Sequence, residues 1–227
     1  MAWLFRSQYI ASMDSTMVVT LLNRISSDFD SQQHVSWIAT SYLLSCAAFQ
    51  PLFGKLSDVM GRKVMLTVCQ LVFALGCSIC ATSQSLSMLI LGRTITGIGG
   101  GGMQTLTSIC ISDIVSLKDR GLYQGYISIS WQMGVISGGL IAGIFDAIWG
   151  WKFAFWVQVP CVLTIAILVI FFMDLPVDKK HHHISSFEKL KGIDWFGSFL
   201  LVTSLLCVLL LFGTSRNEIT PGGSFWY

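Results

Sequence analysis

The sequence predicts an all-α integral membrane protein, and three observations lead to that fold class. Hydrophobic residues make up 53% of the chain and charged residues only 11%, whereas an ordinary soluble domain carries about 25% charged residues. The apolar residues are gathered into seven stretches, each close to the roughly 20 residues with which a helix crosses a bilayer. Short polar connections separate most of these stretches, as expected for antiparallel neighbours in a helical bundle.

The seven stretches divide the chain into four regions. The predicted spans cover residues 2–24, 35–56, 64–83, 87–112, 122–145, 153–173 and 194–214. We expect a six-helix bundle over 1–173, a basic cytosolic linker over 174–193, a seventh span over 194–214 and the start of a non-cytosolic loop over 215–227. Because the chain starts inside a span and stops soon after the seventh, we also expect it to be part of a longer protein.

Lysine and arginine residues predict the orientation, because cytosolic loops carry an excess of them. Nine such residues lie on one side of the membrane, namely Lys55, Arg62, Lys63, Lys118, Arg120, Lys179, Lys180, Lys189 and Lys191. Three lie on the other side, namely Arg24, Lys152 and Arg216. The connection between the second and third spans is therefore predicted to face the cytosol.

Composition and residue spacing argue against several other classes of protein. A net charge of +2 is too small for a nucleic-acid-binding surface. The seven cysteines lie in apolar stretches, and Cys77 and Cys80, the pair that comes closest to a zinc or redox spacing, are interpreted as small interior helix residues. We therefore expect no metal and no cofactor. The predicted spans contain no clustered histidines, no paired carboxylates and no nucleophile with its base, so an enzyme is not expected. The run His181 to His183 on the linker is expected to be solvated, with a regulatory role as the alternative.

Two ionisable residues fall well inside predicted spans. Asp14 lies near the middle of the first span and Arg93 in the first half of the fourth. Each costs roughly 2.5–3.5 kcal/mol at a helix centre, so such residues usually face a bundle interior and mark a substrate or proton path. Asp14 is a candidate proton site, because burial favours its protonated form, and water or a nearby cation favours the carboxylate. The alternative is that the two residues pair only to hold the bundle together.

The segment Gly54 to Lys63 separates the second and third spans with a dense group of charges. Gly54 and Gly61 favour a tight turn, and Asp58, Arg62 and Lys63 cannot lie in hydrocarbon, so we expect a short loop.

After the fourth span, Asp113 and Arg120 place a second carboxylate and guanidinium within reach of that loop. The cluster is either an ordinary surface pairing or a gate that closes in one conformation and opens in another.

Glycines form a spaced pattern in the fifth span. Gly134 and Gly138 are four residues apart, and Gly139 and Gly143 repeat the spacing. The pattern predicts two small-residue tracks that allow close helix packing. In a carrier, the same smooth surfaces would let one helix slide or bend against another.

Four motifs in this order resemble those of the major facilitator superfamily. They are Gly54-x-x-x-Asp58-x-x-Gly61-Arg62-Lys63, Leu89-x-x-x-Arg93-x-x-x-Gly97-x-Gly99, Gly134-x-x-x-Gly138 through Gly143, and Met13-Asp14-Ser15-Thr16. The last is similar to the first-span motif of the fourteen-span drug:proton antiporter branch. The proline usual in the fifth-span motif is absent, which departs from the family pattern.

Within that branch, the chain most resembles the fungal vacuolar basic amino acid transporters. The resemblance rests on Asp14-Ser-Thr16 with Leu22-Asn-Arg24, Trp37-Ile-Ala-Thr-Ser41, Phe49-Gln-Pro-Leu52 and Asp119-Arg-Gly-x-Tyr-Gln-Gly125. It implies a major facilitator-type bundle that moves Lys, Arg or His from cytosol into vacuole in exchange for protons. It also implies that Asp14 and Arg93 couple the two movements and that the Asp58 and Arg62 loop acts as a gate.

The expected partners are a small cationic substrate, protons and the lipid bilayer. Seven spans are half of the fourteen of that branch, so the resemblance implies a truncated chain whose C-terminal half is missing. Carriers of this type bind substrate between two halves, so half a carrier is expected not to transport alone. A multidrug:proton antiporter shares every motif above and is the first alternative; a truncated, non-transporting membrane fragment is the second. The vacuolar membrane is the expected location, with the plasma membrane as the alternative.

Overall fold

A computed structural model of the chain describes residues 2–29 and 36–173, together with residues 200, 203, 204 and 207. Within 2–29 and 36–173 it has six helices. They are α1 (Ala2–Asp28), α2 (Ser36–Met60), α3 (Arg62–Ala81), α4 (Leu86–Ile114), α5 (Arg120–Ile148) and α6 (Trp151–Phe172). The all-α prediction is confirmed, and each end of the six predicted spans lies within four residues of a helix end. The predicted linker over 174–193 and nearly all of the seventh span lie outside the described residues.

Glycines and a serine set the helix ends. Gly61 has φ +92° and Gly150 has φ +85°, which L side chains rarely adopt, so each interrupts a run that would otherwise continue as one helix. At the start of α4, the side chain of Ser85 accepts a hydrogen bond from the backbone N–H of Met88 at 3.3 Å, which satisfies one of the unpaired donors of the first turn.

The loop expected over 54–63 is much shorter than predicted. α2 continues to Met60 and α3 begins at Arg62, so Gly61 alone forms the turn. Gly54 lies inside α2, where a Cβ would lie 3.9 Å from Ile109 Cδ1 and meet no obstacle. The charged residues remain helical because they lie at the end of the bundle, where their side chains reach solvent or one another without a loop.

Glycines of α4 allow the close packing of three helices. α4 lies between α2 and α3. A Cβ on Gly101 would lie 2.6 Å from the Cys46 carbonyl oxygen of α2. A Cβ on Gly99 would lie 2.7 Å from the Cys69 carbonyl oxygen of α3. Both distances are shorter than a carbon–oxygen contact allows, so any larger residue would force the helices apart.

Only one glycine track of α5 lies at a tight interface. A Cβ on Gly138 would lie 2.6 Å from the Met13 carbonyl oxygen of α1, and Gly134 meets α1 in the same way. A Cβ on Gly139 would lie 3.4 Å from Thr20 Oγ1, an ordinary contact, and one on Gly143 would have nothing within 4 Å. This corrects the expectation of two tracks. The buried stripe instead continues at Ala142, because residues four apart share one side of a helix.

Two apolar clusters fill the interior, one towards each end of the bundle. The cluster at the predicted cytosolic end includes Leu4, Phe53 and Leu66. The cluster at the opposite end includes Leu21 and Phe155. Along α1 the clusters meet between Ala11 and Met13, next to Asp14, so the ionisable residue lies where the two apolar layers join.

Three helices, α3, α5 and α6, are long and apolar enough to cross a membrane by length and composition alone. α1, α2 and α4 are longer than the roughly 20 residues needed. They carry most of the buried polar side chains, including Asp14, Ser45 and Arg93. A helix that turns such groups inward has a lower average hydropathy even when its outer surface is apolar.

We predict that Gly138→Ala lowers the free energy of unfolding by about 1–3 kcal/mol, because its Cβ forces α1 and α5 apart. Gly143→Ala is the matched control on the same helix and should leave stability unchanged or slightly raised, since its Cβ meets open space. Thermal unfolding of both variants in detergent measures the difference. Equal stability of the two variants would contradict the interface described for α1 and α5.

Candidate functional site

The two ionisable residues predicted inside spans meet in the centre of the bundle. Arg93 Nη1 of α4 donates a hydrogen bond to Asp14 Oδ2 of α1 at 2.7 Å. The Asp14 side chain is 0% exposed and the Arg93 side chain 1% exposed. Burying either charge alone would cost several kcal/mol, so each makes the burial of the other possible.

Tyr42 of α2 forms the third member of the site. Its ring centroid lies 4.4 Å from the Arg93 guanidinium carbon, in a cation–π arrangement. Its hydroxyl donates to the Ala11 carbonyl oxygen of α1 at 3.3 Å, one turn before Asp14. Tyr42 therefore contacts both helices that carry the ion pair. Sequence reasoning did not single it out, because an aromatic residue inside an apolar span carries no signal of its own.

The ion pair is not fully satisfied. Asp14 Oδ1 and Arg93 Nε are both buried and have no hydrogen-bond partner among the described residues. A bidentate arginine–carboxylate pair would use both oxygens and two N–H groups, whereas this pair uses one of each. One oxygen of the carboxylate is therefore available to accept another donor or a proton.

A charged cluster, which we call the cytosolic clamp, joins three helices at the predicted cytosolic end. It consists of Arg62, Asp58, Asp113 and Ser57. Arg62 Nε donates to Asp113 Oδ2 of α4 at 3.0 Å, and Arg62 Nη2 pairs with Asp58 Oδ1 of α2 at 2.5 Å. Arg62 Nη1 also donates to Ser57 Oγ of α2. One guanidinium thereby fixes the start of α3 to the ends of α2 and α4.

Two residues expected near this cluster do not take part in it. Arg120 Nη2 donates to the Ser112 carbonyl oxygen at 2.8 Å, so it caps the end of α4 and, within the part of the chain that is described, forms no ion pair. Lys63 likewise has no carboxylate partner among the described residues. The cytosolic clamp therefore depends on a single arginine.

A second set of polar contacts joins helices at the opposite end. Trp151 Nε1 of α6 donates to Asp28 Oδ2 of α1 at 2.7 Å. Arg24 Nε of α1 lies 3.7 Å from Asp146 Oδ1 of α5. We call these four residues the distal clamp. It holds α1 to α5 and α6, whereas the cytosolic clamp holds α2, α3 and α4.

Across 2–29 and 36–173, the structure brings no group of three or more His, Cys, Asp or Glu side chains together in a way that could hold a metal ion. The chemistry of the described bundle is therefore that of one buried ion pair between two surface clamps. A helical bundle with such a pair in its interior is the kind of domain that membrane transporters use to move ions and small molecules.

Comparison with known proteins agrees with that class. The model of the Major Facilitator Superfamily matches residues 4–220. The bundle also resembles the xylose transporter XylE of E. coli in its inward-open conformation, with a TM-score of 0.64 and 15% identity, covering 90% of this chain and 54% of that one. At such low identity the likeness shows the fold alone.

Three fungal relatives are much more similar in sequence. The vacuolar membrane amino acid uptake transporter fnx2 of Schizosaccharomyces pombe is 42% identical over 93% of this chain and 37% of its own length. Vacuolar basic amino acid transporter 1 of Saccharomyces cerevisiae is 36% identical over 95% of this chain and 39% of its own. Multidrug resistance protein fnx1 of S. pombe is 39% identical over 90% of this chain and 38% of its own.

The chain therefore belongs to the Major Facilitator Superfamily, as the resemblance of its motifs implied, and is an integral membrane protein. Two of the three relatives are vacuolar by name, which agrees with the vacuolar membrane as its location. The chain spans 37–39% of the length of these relatives.

We predict that Asp14→Asn and Arg93→Gln each lower the free energy of unfolding by about 3–5 kcal/mol, because each leaves an unpaired polar or charged group buried. The double variant should lose less free energy of unfolding than the two single variants lose together, since neither side chain is then charged. A double-mutant cycle of thermal unfolding in detergent measures the coupling. Strict additivity would show that the two side chains do not interact in the folded protein.

Proposed function

We propose that the chain is part of a proton-coupled carrier that moves basic amino acids from the cytosol into the vacuole in exchange for protons. The observation that carries the proposal is the buried, half-satisfied ion pair of Asp14 and Arg93. The names of the relatives that transport amino acids, one of them basic amino acids, support the substrate class.

The proposed coupling uses competition for one carboxylate. Asp14 as a carboxylate can hold Arg93 or an incoming cationic group of the substrate, and a proton removes that charge. Because proton and substrate bind to the same oxygens, they bind one at a time, which is the requirement for exchange rather than cotransport. Loss of the attraction between Asp14 and Arg93 frees α1 from α4 and makes a change of conformation possible.

The proposed gate is the cytosolic clamp. Its Arg62 side chain is 22% exposed, whereas those of Asp58 and Asp113 are 62% and 47% exposed. Ion pairs this accessible to water contribute little to stability and can open at small cost. A cluster of that kind is suited to close the cytosolic side in one conformation and release it in the other.

We predict that Asp14→Asn reduces proton-driven lysine uptake to the rate of vesicles that lack the carrier, because an amide cannot bind the proton. The measurement uses the full-length protein in acidified vacuolar vesicles supplied with radiolabelled lysine. Asp14→Glu should keep part of the uptake, since it retains an acid. Asp119→Asn is the matched control, because Asp119 accepts from Ser116 Oγ at the surface. Proton-driven uptake that survives in Asp14→Asn at normal abundance would exclude Asp14 as the proton site.

A multidrug:proton antiporter is the second candidate, and the similarity to multidrug resistance protein fnx1 favours it. The same vesicles distinguish the two functions. A basic amino acid carrier should take up lysine in the presence of excess ethidium and should leave ethidium in the medium. Ethidium uptake that lysine does not inhibit would instead support the multidrug function.

A further inference from the structure

A buried glutamine of the sixth helix has only sulfur atoms as hydrogen-bond partners among the described residues. Gln158 is 1% exposed. Its Oε1 accepts from the Cys77 thiol of α3 at 3.3 Å, and its Nε2 donates to the thioether of Met17 on α1 at 3.0 Å. Met17 follows Asp14 by three residues and therefore lies one turn away on the same side of α1.

These partners are weak for a fully buried amide. A thioether is a poor acceptor and a thiol a poor donor, whereas an unmade hydrogen bond is costly in the interior. The stronger acceptor nearby is the carboxylate of Asp14, whose Oδ1 is buried without a partner. The two partners of Gln158 lie next to segments of the pair: Met17 is one turn from Asp14, and Gly76, adjacent to Cys77, contacts Thr96, which is one turn from Arg93.

We infer that Gln158 is a positioning residue for Asp14, whose amide N–H leaves the Met17 thioether and binds the Asp14 carboxylate when Arg93 moves away. This inference rests on the proposed role of Asp14 as the proton site. The exchange replaces a weak N–H···S contact by a hydrogen bond to a charged oxygen, so the carboxylate need not be left without a donor in the dry interior. Met17 and Asp14 lie three residues apart on α1, so the exchange moves the amide along α1 by about one turn.

Each helix packed around this turn of α1 contributes a group near Asp14 or near one of its neighbours on α1. The titratable or charged neighbours are Tyr42 of α2, Cys77 and Cys80 of α3, and Arg93 of α4. From α5 the nearest turn presents Gly138, and from α6 it presents Gln158. Arg93 is the strong donor among them, so Gln158 is the replacement that the geometry offers when the pair separates.

The test measures protonation of Asp14 without depending on transport. Dicyclohexylcarbodiimide reacts with protonated carboxyl groups in apolar surroundings, and peptide mass spectrometry reports the labelled fraction of Asp14 at each pH. The full-length protein in vesicles is labelled across a pH series, and Asp14→Asn gives the zero signal. Gln158→Leu removes the donor, so the proton should be retained to higher pH and the labelling midpoint should rise by up to about one pH unit.

A second variant separates this role from simple packing. Met17→Leu removes the competing acceptor and leaves the Gln158 amide free for Asp14, so the labelling midpoint should fall. Cys77→Ser is the matched control, because a hydroxyl still donates to Gln158 Oε1, and it should leave the midpoint unchanged. If the two substitutions only loosen the interior, the labelling midpoints of Gln158→Leu and Met17→Leu should shift in the same direction. Such a shift would overturn the inference, and so would unchanged midpoints in both variants.

Lysine uptake by the same vesicles tests the proposed function separately. Opposite shifts in labelling without any uptake by the unmodified carrier would support the role of Gln158 and contradict the lysine carrier. Uptake by the unmodified carrier with equal labelling midpoints in all variants would support the carrier and overturn the role of Gln158.

Discussion

The positive charge of a guanidinium group in the middle of an apolar bundle must be compensated by neighbouring groups, and the arrangement of the helices follows from that requirement. Arg93 is 1% exposed, so its charge cannot reach water in this conformation. Asp14 supplies an opposite charge at 2.7 Å, and the Tyr42 ring supplies the negative face of an aromatic system at 4.4 Å. α1, α2 and α4 must approach one another closely for both contacts to form. The compensation is incomplete, since one carboxylate oxygen and one N–H remain unpaired, and this makes the pair easier to separate than a bidentate one.

The glycines of α4 are what make this approach possible. On the α2 side, Gly97 opposes Tyr42 and Ser45, and Gly100 opposes the Tyr42 hydroxyl. A side chain at either position would displace Tyr42 from its contact with Arg93. Arg93 and the glycines that follow it in α4 therefore act together. Arg93 needs the Tyr42 ring as a partner, and Gly97 and Gly100 leave space for Tyr42 beside the α4 backbone. Dispersion contacts between closely packed helices contribute the stability that lipid-facing surfaces cannot.

Much of this architecture could be predicted from the sequence, and the remainder depended on contacts between distant segments. Helix positions follow from the lengths of apolar runs, and the presence of an acid and a base inside spans indicated the interior site. The loop at 54–63 was predicted too long, because charged residues were taken to require a loop, whereas at the end of a bundle they can stay helical. Gly143 was assigned to a packing track by spacing alone, which does not reveal what lies opposite. Gln158 was missed, although an amide among the apolar residues of the sixth span was a usable signal.

The two clamps divide the six helices into two groups, and the buried ion pair connects one group to the other. The cytosolic clamp joins α2, α3 and α4, and the distal clamp joins α1, α5 and α6. Polar links between the two groups include those of Asp14 with Arg93, Tyr42 with Ala11, Gln158 with Cys77, Gln70 with Ser7, and Gln124 with Ser108. Of the ion pairs among the described residues, only Asp14 with Arg93 crosses from one group to the other. Protonation of Asp14 therefore removes the charge–charge attraction that joins the two groups in the interior, so movement between them would begin at the buried centre.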